Sequence, residues 1–131
     1  MKSIIIAAAG LGALAVILGA FGAHSLADKL SAESLASYKT GVLYHFLHVL
    51  VILIVGIYYQ QKPNNLMRWA VICFIVGIVF FSGSIYLLAT RSITGLSFTN
   101  ILGPITPIGG LLFVSGWILL AFGLSKMDLR R

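Results

Sequence analysis

Charge is what this sequence has least of. Of its 131 residues only 9% are charged, and only three are acidic: Asp28, Glu33 and Asp128. A soluble domain of this size needs far more surface charge to stay in solution. None of the three lies inside a long apolar run, whereas proton- and sodium-coupled transporters usually place carboxylates within the membrane. This scarcity argues against a soluble domain and gives no support to an ion-coupled carrier.

Reactive groups are scarce as well. Cys73 is the one cysteine, so an internal disulfide cannot form, and its place in an apolar run favours a buried structural thiol. The serines have no matched base, and no Gly-rich phosphate loop follows a predicted strand. We therefore expect neither an enzyme nor a catalytic residue, and no cofactor is predicted.

What the chain does contain is four long uncharged apolar runs, and a hydrocarbon core of roughly 30 Å takes about 20 helical residues to cross. We predict an all-α integral membrane bundle of four transmembrane helices, forming a single domain over residues 1–131. An interfacial helical segment is expected to precede the second span. The predicted spans are approximately residues 3–23, 41–60, 68–90 and 104–125.

Local signals predict how these helices begin and pack. Ser31 is a plausible N-cap, with Glu33 in the first turn, and Thr106 with Pro107 at the first helical position is a favoured start for the fourth span. Small residues form stripes that let helices approach closely in lipid. One stripe lies in the first span and one in the fourth: Ala8, Gly12, Ala15, Gly19 and Ala23, and Gly109, Gly116 and Gly123.

The net charge of +6 is distributed over loops and ends. This predicts orientation and lipid contact, and no binding of nucleic acid. With four spans both termini share a side, and six of the nine basic residues lie there, so the termini are predicted to be cytoplasmic. Five of the six are candidate contacts for anionic lipid: Lys62, Arg68, Lys126, Arg130 and Arg131.

Histidines form the first candidate site. His45 and His48 share a helix face, next to Tyr44, and His24 ends the first span at the membrane surface from which the second begins. We expect all three at similar depth near the outer surface. Imidazoles so placed suit a transition metal, a haem iron or a proton-titrating cluster, or else each ring is bonded to a neighbouring helix as polar packing.

The second candidate site is the break at residues 100–107. Its two prolines leave carbonyls without donors, and such backbone persists in a membrane only when it is buried in protein or lines a wet cavity. It forms either a rigid corner or a polar pocket for a lipid headgroup or a small solute. Whether residues 92–107 re-enter the membrane is left open. The expected pocket residues are Asn100 and Thr106, faced by Ser82, Ser84 and Tyr86.

Several segments together resemble one bacterial membrane family, called domain of unknown function 423, which has animal relatives. The resemblance implies four spans and a location in the bacterial inner membrane, and it implies no catalytic residues because none is established for the family. The matching segments are residues 19–24 (GAFGAH), 44–45 (YH), 81–86 (FSGSIY), 102–110 (LGPITPIGG) and 116–117 (GW).

Three function classes remain open. The first, which we favour because no span carries a charge, is a structural or accessory protein that binds lipid or a partner membrane protein, or that self-associates. The second is a small-solute channel or carrier that acts as an oligomer, since four short helices rarely enclose a pore. The third is a histidine-based metal- or haem-binding membrane protein.

Overall fold

A computed structural model of the chain describes residues 2–126, and within that range it contains helices, turns and no strand. Four helical segments are long and apolar enough to cross a membrane, which confirms the predicted all-α class. The elements are α1 (Lys2–His24), α2 (Ala32–Gln61), α3 (Asn65–Gly77), a π-helical turn (Ile78–Ser82), α4 (Gly83–Ala89), α5 (Arg91–Thr94) and α6 (Thr99–Ser125).

Side-chain caps define where α2 and α3 begin. The hydroxyl of Ser31 accepts a hydrogen bond from the Ser34 N–H at 3.2 Å, which confirms Ser31 as the N-cap of α2. At the next turn the Asn64 Oδ1 accepts from the Leu66 N–H at 2.9 Å. The Asn64 amide also donates to the Gly123 carbonyl at 3.0 Å. Asn64 therefore both starts α3 and ties the end of α6 to the turn between α2 and α3.

The third span is one continuous helix that widens near its middle. α3, the π-helical turn and α4 follow one another from Asn65 to Ala89, and the Gly83 N–H bonds to the Ile78 carbonyl, five residues back. Such turns are rare, and they occur frequently at functional sites. Gly109 of α6 lies directly against this turn, because a Cβ added there would stand 2.7 Å from the Phe81 Cα.

The fourth span begins earlier than predicted. α6 starts at Thr99 with Phe98 at the cap position, so the expectation that Thr106 caps the helix and Pro107 opens it is wrong. Both prolines lie inside the helix. Each removes the donor for the carbonyl four residues back, at Asn100 and Gly103. Both of those residues are exposed, so solvent or headgroups can satisfy the carbonyls, and the helix continues at low cost.

Small residues pack the helices as predicted, with one exception. Gly109, Gly116 and Gly123 of α6 are buried against the π-helical turn and α3. In α1, Ala8 and Ala15 are buried against α2, but the stripe continues at Gly22, whereas Ala23 is exposed. Gly22 is the residue that faces the Tyr38 ring, and one step along a helix turns Ala23 away from it.

α2 lies at the centre of the bundle. Within residues 2–126 the backbone of α1 approaches α2 and no other helix, while α6 packs on the third span. His45 and His48, predicted to share one helix face, are both buried, together with Gly41 and Ile52 of the same helix. Neighbouring spans run antiparallel, because α1 meets α2 through Ile5 with Gly56 and through Gly22 with Tyr38. The first turn of α2 therefore lies at one end of the bundle, and the turn that connects α2 to α3 lies at the opposite end.

Candidate functional site

His48 is held on both sides of its ring. Its Nδ1 lies 2.8 Å from the Tyr44 carbonyl oxygen, and its Nε2 lies 3.3 Å from the Trp117 indole nitrogen. A carbonyl only accepts and an indole N–H only donates. The ring is therefore the neutral tautomer with its proton on Nδ1, and neither nitrogen is left for a metal.

Aromatic rings surround the same histidine. Its ring stacks on Phe113 of α6 at a centroid distance of 3.7 Å and an angle of 8°. It also contacts the rings of Phe74, in a tilted arrangement, and Trp117, in an edge-on arrangement. The backbones of α2 and α6 do not approach each other in the described part of the chain. His48 therefore joins two helices that otherwise meet only through side chains, which matches the packing interpretation of this residue.

His45 has a different environment. Its Nδ1 lies 3.1 Å from the Tyr86 hydroxyl on α4, and its ring approaches the backbone of Leu11 on α1. Its Nε2 is buried and makes no hydrogen bond of regular geometry within residues 2–126. Tyr86 in turn packs against Tyr38, whose hydroxyl donates to the Leu18 carbonyl at 2.9 Å. Two hydrogen bonds and one ring contact thus link α4, α2 and α1.

The third predicted histidine, His24, does not join this core. It is exposed at the end of α1, whereas His45 and His48 are buried. No group of three His, Cys, Asp or Glu side chains among the described residues is arranged to hold a metal ion. His24 therefore does not join the two buried histidines, and within residues 2–126 the buried Nε2 of His45 makes no hydrogen bond of regular geometry.

Ser84 and Thr106 connect the third and fourth spans. Their hydroxyl oxygens lie 2.7 Å apart. Ser84 also contacts the Phe81 carbonyl at 3.0 Å, and Thr106 the Leu102 carbonyl at 3.3 Å. Two hydroxyl protons serve three contacts, so the bridge has two alternative donor directions. It ties α6 to α4 beside the π-helical turn, where Phe81 also lies.

The other predicted pocket residues lie apart from this bridge. Ser82 is fully buried in the π-helical turn, and its hydroxyl has no partner among the described residues. Asn100 is exposed near the start of α6, and Tyr86 faces His45 rather than the proline segment. Tyr44 is partly exposed and packs on Phe81 at 4.8 Å. The structure thus brings only Ser84 and Thr106 together at the predicted break.

A cavity of about 350 Å³, here named the polar cleft, opens at the end of the bundle that contains the first turn of α2. Four of its lining residues come from α2 and its cap: Ser31, Glu33, Ser34 and Ser37. The remaining ones are Ile85, Leu88, Ala89 and Arg91 at the end of the third span, and Thr106 of α6. The polar cleft thus combines one acidic side chain, one basic side chain and several hydroxyls with an aliphatic wall.

Of the nine lining residues only Thr106 was a predicted site residue. Local signals identified Ser31 and Glu33 as a helix start, but their proximity to Arg91 depends on how α2 packs on the third span. Neither Glu33 nor Arg91 forms an ion pair among the described residues, although they line the same cavity. Chemically, the polar cleft can accept a ligand that carries both a negative and a positive group.

Basic residues collect at the opposite end of the bundle. Lys62 follows α2, Arg68 lies in the first turns of α3, and Lys126 follows α6. The bond from Asn64 to Gly123 brings these helix ends together. All three side chains belong to exposed residues. Arg130 and Arg131, the other two candidate lipid contacts, lie outside the described residues.

Comparison with known proteins shows relatives over nearly the whole chain. The UPF0382 membrane protein SSP2132 of Staphylococcus saprophyticus is 42% identical over 127 residues, which cover 97% of this chain and 100% of that protein. YwdK of Bacillus subtilis is 41% identical over 128 residues, covering 96% and 98%. The UPF0382 inner membrane protein YgdD of Escherichia coli is 35% identical over 126 residues, covering 96% and 92%. No solved structure matches significantly.

A family model described as "Protein of unknown function (DUF423)" matches residues 18–110. This range contains both histidines of the core, the π-helical turn, the polar cleft and Gly109. With relatives that are named membrane proteins and four helices able to span a bilayer, the resemblance noted in the sequence is confirmed. The chain belongs to the DUF423 family, a family of membrane proteins without an established activity.

Proposed function

We propose that this protein is a small accessory protein of the bacterial inner membrane that binds a phospholipid in the polar cleft, and that it is not an enzyme. The observation that carries the proposal is the cleft itself, where Glu33, Arg91 and hydroxyl groups face an aliphatic wall formed by Ile85 and Leu88. A phospholipid has a matching arrangement of polar and apolar parts, because its charged headgroup is joined to apolar chains.

The depth of the cleft supports a lipid headgroup. α2 contains 30 residues, so it is about 45 Å long at 1.5 Å per residue. A hydrocarbon core of roughly 30 Å leaves its ends in the headgroup layers. Glu33 stands in the first turn of α2 and Arg91 follows the third span. Both charges can therefore meet a headgroup without entering the hydrocarbon, where a charge is costly.

The remaining polar groups of the bundle favour packing roles. His48 uses both nitrogens within the protein, and the Ser84 and Thr106 hydroxyls bond to each other. Among the described residues, the core offers a metal or haem the Nε2 of His45, and no group of three His, Cys, Asp or Glu side chains there could hold a metal ion. The buried position of these groups also gives no support to a pore between subunits, which would require polar faces pointing outward.

We further propose that both termini are cytoplasmic and that the polar cleft faces the opposite side. Lys62, Arg68 and Lys126 lie at the end of the bundle away from the cleft. An excess of Lys and Arg marks the cytoplasmic side, and clustered basic residues there attract anionic lipids. In this orientation the basic end contacts the inner leaflet surface and the cleft opens to the outer one.

A partner membrane protein or a second copy would find its surface on α1. That helix packs against α2 alone in residues 2–126. Its outward side chains include Ile6, Ile17 and Phe21, each more than half exposed. We propose lipid as the default neighbour of this face, because an apolar helix face in a bilayer needs no protein partner.

Native mass spectrometry of the gently solubilised protein tests the lipid proposal. We expect discrete phospholipid adducts that the Arg91→Gln variant loses, because the guanidinium is the cleft's phosphate-binding group. Lys39→Gln is the matched control, since it removes an exposed cation from the same end of the bundle without altering the cleft. A ligand-free protein, or equal adducts in wild type and Arg91→Gln, would count against the proposal.

A further inference from the structure

We propose that the polar cleft selects a zwitterionic phosphoethanolamine group, as in the headgroup of phosphatidylethanolamine. Arg91 binds the phosphate and Glu33 binds the primary ammonium. This inference rests on the proposed function, because it names the class of phospholipid that the same cleft takes.

The opposite charges of Glu33 and Arg91 are the reason for proposing a zwitterionic ligand. Glu33 and Arg91 line one cavity, yet neither is part of an ion pair among the described residues. Glu33 would repel a purely anionic headgroup, and Arg91 would repel a cation that has no phosphate. A headgroup that carries both charges satisfies both side chains at once. The cleft is thus complementary to a dipolar ligand rather than to a single sign of charge.

The hydroxyl groups favour an ester-linked phosphate beside these charges. Ser31 donates to the Ser34 oxygen at 3.0 Å and accepts from the Ser34 N–H, so its own bonding capacity is largely used. The Ser34 hydroxyl proton is then available to a ligand, and Ser37 lies one turn further along the cleft. Hydroxyl donors next to a guanidinium form a phosphate site of ordinary composition.

The carboxylate distinguishes between amines. A primary ammonium offers three N–H donors to a carboxylate, whereas a quaternary ammonium such as that of choline offers none. Glu33 lines the same cavity as the aliphatic side chains of Ile85 and Leu88, and the glycerol and the first carbons of the acyl chains would lie against those side chains. The expected order of binding is therefore phosphatidylethanolamine first, then phosphatidylcholine, then phosphatidylglycerol.

A lipid competition measures this order. The full-length protein is freed of lipid in detergent, and equal amounts of the three lipids with identical acyl chains are added before native mass spectrometry. We expect phosphatidylethanolamine adducts to exceed phosphatidylcholine adducts by roughly threefold, the factor that one ion pair with an exposed side chain such as that of Glu33 supplies. Glu33→Gln should bring that ratio to about one and raise phosphatidylglycerol binding. Asp28→Asn, a charge change outside the cleft, should leave the ratio unchanged.

The outcomes separate this inference from the proposed function. If all three lipids bind equally, or if Glu33→Gln leaves the ratio unchanged, the inference is overturned. A loss of every adduct in Arg91→Gln would in that case still support a phospholipid site. If Arg91→Gln changes no adduct, the proposed function itself fails.

Soluble glycerophosphoethanolamine separates a lipid from a free ligand of the same chemistry. Added in excess, it should displace little phosphatidylethanolamine, because it lacks the chains that lie along Ile85 and Leu88. Complete displacement at a concentration equal to that of the lipid would support the phosphoethanolamine chemistry and overturn the lipid as its source.

Discussion

The two helix pairs of this bundle meet through glycine in different ways. In the third and fourth spans, Gly109 lies against the backbone of Phe81. In the first and second spans, Gly12 and Gly19 lie against the valine side chains of Val49 and Val42, each with 3.3 Å between an added Cβ and a methyl carbon. Backbone cannot rotate out of the way, whereas a side chain can shift by a few tenths of an ångström. The third span and α6 therefore form the rigid half of the fold, and α1 and α2 form the adaptable half.

Other glycines in both pairs face aromatic rings. Gly116 lies against the Phe74 ring and Gly77 against the Phe113 ring, and the same rings surround His48. In the α1–α2 pair, the closest approach is that of Gly22 to the Tyr38 ring, and the Tyr38 hydroxyl donates a hydrogen bond across the pair to the Leu18 carbonyl. The polar cleft is built from α2, the third span and α6. Its geometry thus depends on both halves, because α2 supplies one wall and the third span and α6 supply the other.

Gly109→Ala should have the largest effect of any single methyl added to the chain. The new carbon would stand 2.7 Å from the Phe81 Cα. Because the contact is with backbone, it can be relieved only if α6 moves away from the π-helical turn. We expect a loss of about 3 kcal/mol in unfolding free energy, at the upper end for overpacking. Thermal unfolding in detergent, with size-exclusion profiles to detect misfolding, measures it.

Gly110→Ala is the matched control for that variant. It adds the same methyl one residue further on, where the nearest atoms of the Phe81 ring are 3.9 Å away, which is ordinary van der Waals contact. Its melting temperature should stay within a few degrees of wild type. Equal destabilisation by the two variants would show that the close approach of α6 to the π-helical turn is not the cause.

His48→Ala should follow, with a loss of about 2–3 kcal/mol. This change removes the stacking on Phe113 and both ring hydrogen bonds. His45→Ala should cost less, because one of its nitrogens has no regular partner in the described chain. His24→Ala, at an exposed site, is the control. Melting temperatures in detergent rank the three, and an unchanged value for His45→Ala would contradict a packing role and leave that residue for a ligand.

Gly12→Ala tests the adaptable half and should cost less than about 1 kcal/mol. The added methyl meets Val49 at 3.3 Å, and a small movement of α1 or of that side chain relieves the contact. Combining it with Val49→Ala should remove most of the penalty relative to Val49→Ala alone, since the clashing methyl is gone. A penalty as large as that of Gly109→Ala would abolish the distinction between the two halves.

Much of the fold could be predicted from the sequence because its determinants are local. Four uncharged apolar runs are a property of about 20 consecutive residues each, and the Ser31 cap depends on residues three apart. The π-helical turn could not be predicted, because it accompanies the close approach of Gly109 from another span. The prolines were misjudged for a related reason. Their lost hydrogen bonds fall on the carbonyls of two exposed residues, Asn100 and Gly103, and exposure is not a local property of the sequence.

The site was harder to predict than the fold. His48 was singled out by its spacing from His45, but the partner that fixes its tautomer, Trp117, is 69 residues away. The polar cleft joins Glu33 to Arg91 through the packing of α2 on the third span. Each residue alone looks like an ordinary charge at a helix end. Only their convergence suggests a ligand, and convergence depends on tertiary structure.

Gly10→Ala should have the smallest effect, and in the opposite direction. Gly10 is exposed on α1, and no atom lies within 4 Å of an added Cβ. Replacing a helical glycine in open space removes a conformational cost of at most about 1 kcal/mol, so the melting temperature should hold or rise slightly. Because α1 packs only on α2 in the described chain, the same methyl would also detect a neighbour on its outer face. A loss of stability, together with a smaller particle by light scattering, would mean that a second copy covers the outer face of α1 and that lipid is not the neighbour of this face.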